Sequence, residues 1–359
     1  MVITVTDEDQ YLNRLVDEDA LRSYLGETLG EAESVSVLRH DEGHSNETLF
    51  IEWDDREYVL RRPPAGETAD TAHDVLREYR TIDALQETSV PVPETVLACE
   101  DESVIGSEFY VMGREAGDVL RDTEPERFAT PDHRTAIGEE LVDALASIHS
   151  VDYEAVGLGD FGRPAGFTER QVDRWQQQLE WAFEVTEAER EVPELDRVGE
   201  WLQENVPADH AHTLVHGDYK LDNVLFEPGV PPRLGAIFDW ELSTLGDPLT
   251  DLGWMLLFWH DPSDPAPPMP ELMSTVMAQE GYPTRDELVA RYERQTGVEF
   301  ENRRFYQVLA AYKMAGLGEM FFRRYLEGNS ADPLYPKMEK GVPLLAEQTV
   351  ALIEGERNL

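Results

Sequence analysis

The spacing of apolar residues changes period near Gly113, and that change limits the fold more than any other feature of the chain. Before it, residues 34–39, 48–53 and 58–62 are short β-branched or alternating segments separated by acidic, turn-type clusters. Asp54-Asp55 between the second and third reads as a hairpin turn. Residues 71–85 have a helical period, with Val75, Tyr79, Ile82 and Leu85 on one face, and Val90-Pro91-Val92-Pro93 ends that helix. Strands follow at 95–98 and 108–112. Residues 31–113 therefore predict a small sheet with one helix, preceded by an acidic helical lead-in over 1–30.

After Gly113 helical patterns dominate, over 134–149, 169–183, 195–205, 249–259, 270–278, 285–295, 303–326 and 342–354. One segment interrupts them: 213–226 and 234–238 read as short strands and a loop rich in polar chemistry. Residues 261–270 are proline-rich and read as an exposed connector. The expected organisation is an amino-terminal lobe over 1–113 and a helical lobe over 114–359.

The 359 residues suffice for two lobes, and 41% hydrophobic content is that of a globular chain. Asp plus Glu number 74 against 30 Lys plus Arg, a formal net charge of -44. Self-repulsion of that size disfavours a compact state unless salt screens it. The only lysines are Lys220, Lys313, Lys337 and Lys340, and arginine supplies the other positive charges. The acidic excess runs along the whole chain, which points to a halophilic, haloarchaeal-type source. It argues against nucleic-acid and anionic-membrane partners. Cys99 stands alone, so no internal disulfide or cysteine-rich metal site is available. The start has no basic region before an apolar stretch, and the longest apolar run, residues 253–259, is too short to span a bilayer. A soluble, cytoplasmic protein is the expectation.

The chemistry concentrates in Leu214-Val215-His216-Gly217-Asp218-Tyr219-Lys220-Leu221-Asp222-Asn223-Val224-Leu225-Phe226, followed by Ala236-Ile237-Phe238-Asp239-Trp240-Glu241. So many charges flanked by apolar strands must be paired or hold a metal. Phosphoryl transfer needs a carboxylate to steer the acceptor hydroxyl, oxygen ligands for Mg²⁺, and cations for the transferred group. Asp218 is the candidate base, Asn223 and Asp239 the candidate Mg²⁺ ligands, and Lys220 a cation within reach of the γ-phosphate. His216 belongs to this group as a brace for the loop rather than a proton carrier. Asp222, Asp247 and Asp251 read as structural carboxylates, and Glu241 as either a salt-bridge partner or a support for the metal. Tyr110 and Trp240 read as core, as does the aromatic stripe Trp254, Phe258 and Trp259.

His216-x-Asp218-x-x-x-x-Asn223 with Asp239 matches a kinase catalytic loop and its metal-binding aspartate. The His-Gly-Asp form, with Asp239-Trp240-Glu241 and Gly246-Asp247-Pro248, resembles the aminoglycoside phosphotransferase and choline kinase superfamily. Within it, the chain is most similar to the kinase-like domains of acyl-CoA dehydrogenases 10 and 11. The resemblance implies an α+β, bilobal protein-kinase-like fold: a small antiparallel-sheet lobe with one helix, and a larger, mainly helical lobe. It implies ATP and Mg²⁺ as cofactors and a small-molecule hydroxyl as acceptor. Residues 42–48 resemble the phosphate-covering hairpin. Glu42 departs from its double glycine, so Gly43, Ser45 and Asn46 remain as contacts. Arg61, with Arg62 as the alternative, stands where the family places its phosphate-binding cation, and Glu78 where it places that cation's partner. Residues 109–115 match the adenine-binding hinge, with Met112 and Glu115 as contacts. The competing readings are a nucleotide-binding pseudokinase without turnover and a metal-dependent phosphohydrolase.

Overall fold

The computed structural model describes residues 7–40, 46–65, 74–208, 212–330 and 332–355. The chain forms two compact units: Met1–Ala116 with Ala236–Glu241, and Gly117–Gly235 with Leu242–Leu359. The fold is a bilobal, protein-kinase-like one, with an amino-terminal sheet lobe and a larger helical lobe.

In the smaller unit two helices, α1 (Asp7–Leu15) and α2 (Glu18–Leu29), precede the strands, and residues 1–6 of the expected lead-in lie outside the described residues. Five strands follow: β1 (Val35–His40), β2 (Glu47–Trp53), β3 (Arg56–Arg62), β4 (Thr95–Cys99) and β5 (Phe109–Gly113). They form one antiparallel sheet in the order β1-β2-β3-β5-β4. Alternation explains its core face: Leu49, Ile51 and Trp53 of β2 are fully buried, with Leu60, Phe109 and Val111 beside them. Asp54 makes the hairpin turn in a left-handed conformation (φ 52°), and its Oδ1 accepts from the backbone N–H groups of Glu33 and Ser34. Between β3 and β4, helix α3 (Val75–Leu85) starts at an Asp74 cap whose side chain accepts from the Arg77 N–H. Its buried face carries Val75, Glu78, Ile82 and Leu85, one carboxylate among apolar side chains.

The larger unit is built from α4 (Pro131–His149), α5 (Phe167–Thr186), α6 (Pro193–Glu204), α7 (Pro248–Leu257), α8 (Arg285–Thr296), α9 (Arg303–Leu326) and α10 (Met338–Glu354). Their starts follow capping chemistry. Thr130 caps α4, Asp247 caps α7, and Thr284 with Glu287 forms a capping box on α8. Helix α9 is buried on most of its faces and packs against α5, α7 and α10. Short strands β6 (Thr213–Val215) and β9 (Thr244–Gly246) pair antiparallel. Strand β7 (Val224–Phe226) leads into a hairpin closed by Glu227 N–H donating to Arg233 O, and β8 (Leu234–Ile237) carries the chain onward.

The expected helix over 270–278 does not form. Leu272 and Met273 make one turn onto the Met269 carbonyl, and Ser274 then diverts the backbone. The Ser274 hydroxyl donates to Arg121 O and accepts from Val276 N–H, leaving only a 3₁₀ turn at Val276–Ala278. The proline-rich segment exposes Pro262, Pro265 and Pro270 but buries Met269 against Gly318 and Gly341.

Candidate active site

In the larger unit, β6 delivers the chain into the loop 216–223. Gly217 lies at φ 84°, and a Cβ there would sit 2.7 Å from the Leu242 carbonyl oxygen, so only glycine fits the turn. Asp251, in the first turn of α7, accepts from the backbone N–H groups of His216 (2.6 Å) and Gly217 (2.9 Å). His149 Nε2 lies 3.4 Å from the same carboxylate, and its Nδ1 lies 2.7 Å from the Tyr292 hydroxyl. Burial pushes the Asp251 carboxyl up, but these histidine and backbone partners outweigh it and hold the group below its ordinary range. His216 Nδ1 accepts from the Asp218 N–H at 3.2 Å, a contact internal to the loop.

These supports present Asp218. Its Oδ1 accepts from Trp254 Nε1–H at 2.7 Å, and its Oδ2 accepts from Lys220 Nζ at 2.6 Å and Asn223 Nδ2 at 2.8 Å. Burial alone would raise the Asp218 carboxyl, but the ammonium groups of Lys220 and Lys313 prevail and hold it below the usual carboxylate range. Asn223 Nδ2 also donates to the Asp218 carbonyl at 2.8 Å. That fixes the amide orientation, because a flipped side chain would set oxygen against two acceptors. The structure thus brings His216, Asp218, Lys220 and Asn223 together on one loop. Trp254, read from sequence as core, is a direct partner of Asp218. Lys313 on α9 was not singled out as a site residue. It donates to the Gly217 carbonyl, and its Nζ lies 3.7 Å from the Trp254 ring centroid. Its rarity was the available signal, since it is one of four lysines in the chain.

The smaller unit holds the second group. Arg61 Nη2 lies 3.4 Å from Glu78 Oε2 and 3.6 Å from Asp239 Oδ1. Glu78 is 1% exposed, and burial pushes its carboxyl up against the pull of Arg61. Burial also works against the Arg61 charge, but Glu78, Tyr110 and Asp239 outweigh it and hold the guanidinium above its ordinary value. Arg62, on the opposite pleat, donates instead to the backbone carbonyls of Leu15, Pro63 and Ile105. Asp239 adopts a left-handed backbone (φ 65°), a conformation aspartate tolerates and that recurs at functional sites. Asn46 Nδ2 donates to Glu241 Oε2 at 3.3 Å. Met112 lies buried in β5 opposite Val59, and Glu115 is exposed just beyond that strand. Tyr110 and Trp240 are fully buried. Gly43 and Ser45 lie outside the described residues.

Among the described residues, no group of three or more His, Cys, Asp and Glu side chains could by itself hold a metal ion. A nucleotide-bound Mg²⁺ does not need one, since it takes one or two protein oxygens and completes its shell with phosphate and water. The carboxylate of Asp239 and the amide oxygen of Asn223 are hard oxygen donors of that kind.

The model for the phosphotransferase enzyme family matches residues 36–308. The chain belongs to this family. It is 34% identical to a protein of Ralstonia eutropha JMP134 assigned to the aminoglycoside phosphotransferases; the match covers 94% of this chain and 98% of that one, with a TM-score of 0.80. It is 36% identical to acyl-CoA dehydrogenase family member 11 of Rattus norvegicus over 86% of its own length, and 34% identical to family member 10 of Mus musculus over 92%. It spans only 40% of the first of these relatives and 31% of the second. Family and fold point to a phosphotransferase, a kinase acting on a small-molecule acceptor. Members of the family typically use ATP and Mg²⁺. No helix among the described residues is long and apolar enough to cross a membrane.

Proposed function

We propose that the chain transfers the γ-phosphoryl group of ATP to a hydroxyl of a small metabolite, with Asp218 as the residue that receives that hydroxyl. The observation that carries the reading is the carboxylate itself: Asp218 is held by three donors and kept ionised. A carboxylate with lowered proton affinity is a weak base. Its main task is then to orient the hydroxyl and take the proton late, which suits the loose transition state of phosphoryl transfer. The acceptor oxygen bonds to the γ-phosphorus, the bond to the β,γ-bridging oxygen breaks, the proton passes to Asp218 and ADP leaves. Lys220, already bonded to Asp218, supplies positive charge for the transferred group. Arg61, braced by Glu78, binds phosphate oxygens. Asn46 contributes to phosphate binding, as do Gly43 and Ser45 by resemblance alone, while Met112 and Glu115 bound the adenine site.

Asn223 and Asp239 would hold Mg²⁺, which when bound neutralises charge on the phosphates. The amide nitrogen of Asn223 is spent on Asp218, so its oxygen is the atom available to a cation. Asp239→Ala is expected to weaken Mg²⁺-dependent ATP binding, measured by titration calorimetry; unchanged metal dependence would remove Asp239 from the site.

For the acceptor, we favour a hydroxyacyl thioester. The support is the name shared by the curated relatives, acyl-CoA dehydrogenase family members. The charge of -44 supports a salt-rich, cytoplasmic setting for the enzyme.

A further inference from the structure

Lys313 helps keep Asp218 ionised but takes no part in the transfer step above, and it reaches the same loop from α9. Its Nζ donates to the carbonyl of Gly217, the peptide unit that joins Gly217 to Asp218. The N–H of that same peptide is taken by His216 Nδ1 at 3.2 Å, so the unit is held at both ends. The ammonium also sits over the Trp254 ring, 3.7 Å from its centroid, and the Nε1–H of that ring donates to Asp218 Oδ1 at 2.7 Å. A cation on the indole face draws on the ring's electrons and makes the N–H a better donor. Burying an ammonium is costly unless its contacts repay it. The Nζ also lies 5.9 Å from the Trp175 ring centroid, but its contacts with Gly217 O and Trp254 lead to Asp218.

We propose that Lys313 is a positioning residue for phosphoryl transfer: it fixes the Gly217–Asp218 peptide and the Trp254 indole so that Asp218 meets the acceptor hydroxyl in one orientation. The inference rests on the kinase reading of this loop.

The test uses the full chain labelled with ¹⁵N-tryptophan, in which the Trp254 indole resonance is identified by its loss in Trp254→Phe. In Lys313→Met that resonance shifts and its N–H exchanges faster with water, while Lys313→Arg retains the wild-type signal. Phosphate release from Mg-ATP, with water as acceptor, falls ~10–100-fold in kcat for Lys313→Met, the cost of a misplaced reacting group, with KM for ATP unchanged. Lys313→Arg recovers most of that loss. The double variant with Trp254→Phe loses less than the product of the single losses, because both act through one contact. If Lys313→Met does not fold, Lys313→Gln carries the same comparison, and Trp254→Phe carries its kinetic part. An unmoved resonance with wild-type kcat in Lys313→Met, while Asp218→Asn is inactive, would overturn the inference and leave the kinase reading standing. A wild type that binds no Mg-ATP and releases no phosphate would overturn both.

Discussion

Trp254 Nε1–H donates to Asp218 Oδ1 at 2.7 Å, so an indole on α7 fixes one oxygen of a carboxylate presented by a loop 36 residues earlier in the chain. The other oxygen takes Lys220 and Asn223. A carboxylate so restrained is preorganised: its orientation is set by bonds already made in the folded protein rather than by the substrate.

Removing Arg61 leaves Glu78 buried without its cation. Arg61→Met is expected to cost about 3–5 kcal/mol of stability near neutral pH, the usual penalty for breaking a buried pair from one side. Because burial already pushes the Glu78 carboxyl up, the penalty shrinks as pH falls and that group takes a proton. Urea denaturation of both proteins at about pH 8 and about pH 5.5 checks the magnitude and its direction.

Lys313 gives a second pH signature, in the alkaline range. Burial lowers its pKa to about 8, against the pull of Asp218 and Asp251, from an ordinary lysine value of 10.5. The folded protein releases this proton near pH 8, whereas the unfolded chain keeps it until about 10.5. Between those values the unfolded state binds the extra proton, so each step up in pH favours the folded state through this group. The stability difference between wild type and Lys313→Met should therefore move in favour of wild type from pH 8 to 10.5, and a flat difference would contradict it.

The formal charge of -44 predicts a strong dependence on salt. Raising KCl from about 0.05 M to about 2 M shortens the screening length several-fold and should raise the melting temperature markedly. A melting temperature independent of KCl would show that the acidic surface is not self-repelling in the folded state.

Much of this was legible in the sequence. The strands of the small sheet and helix α9 follow from period alone, because their apolar residues fall on one face or run through a buried helix. Strand β9 was invisible because three residues give no period. The helix expected over 270–278 had the right apolar spacing, but Ser274 competes for the backbone through its hydroxyl, which spacing does not register. Asp218, Asn223 and Asp239 stood out because they are charged or polar groups between apolar strands and match the pattern of a kinase catalytic loop. Trp254 and Lys313 did not, since their meeting with Asp218 depends on how α7 and α9 pack against the loop. An aromatic on an apolar helix face reads as core until the atom its N–H points at is known.

The central claim is that Asp218 serves phosphoryl transfer. The direct measurement is transfer of labelled γ-phosphate from Mg-ATP to a panel of hydroxyacyl thioesters in molar KCl, comparing wild type with Asp218→Asn. The account predicts a phosphorylated product from wild type and a kcat lower by ~10²–10⁴-fold in the variant, with ATP affinity retained. Wild-type turnover by Asp218→Asn would contradict it.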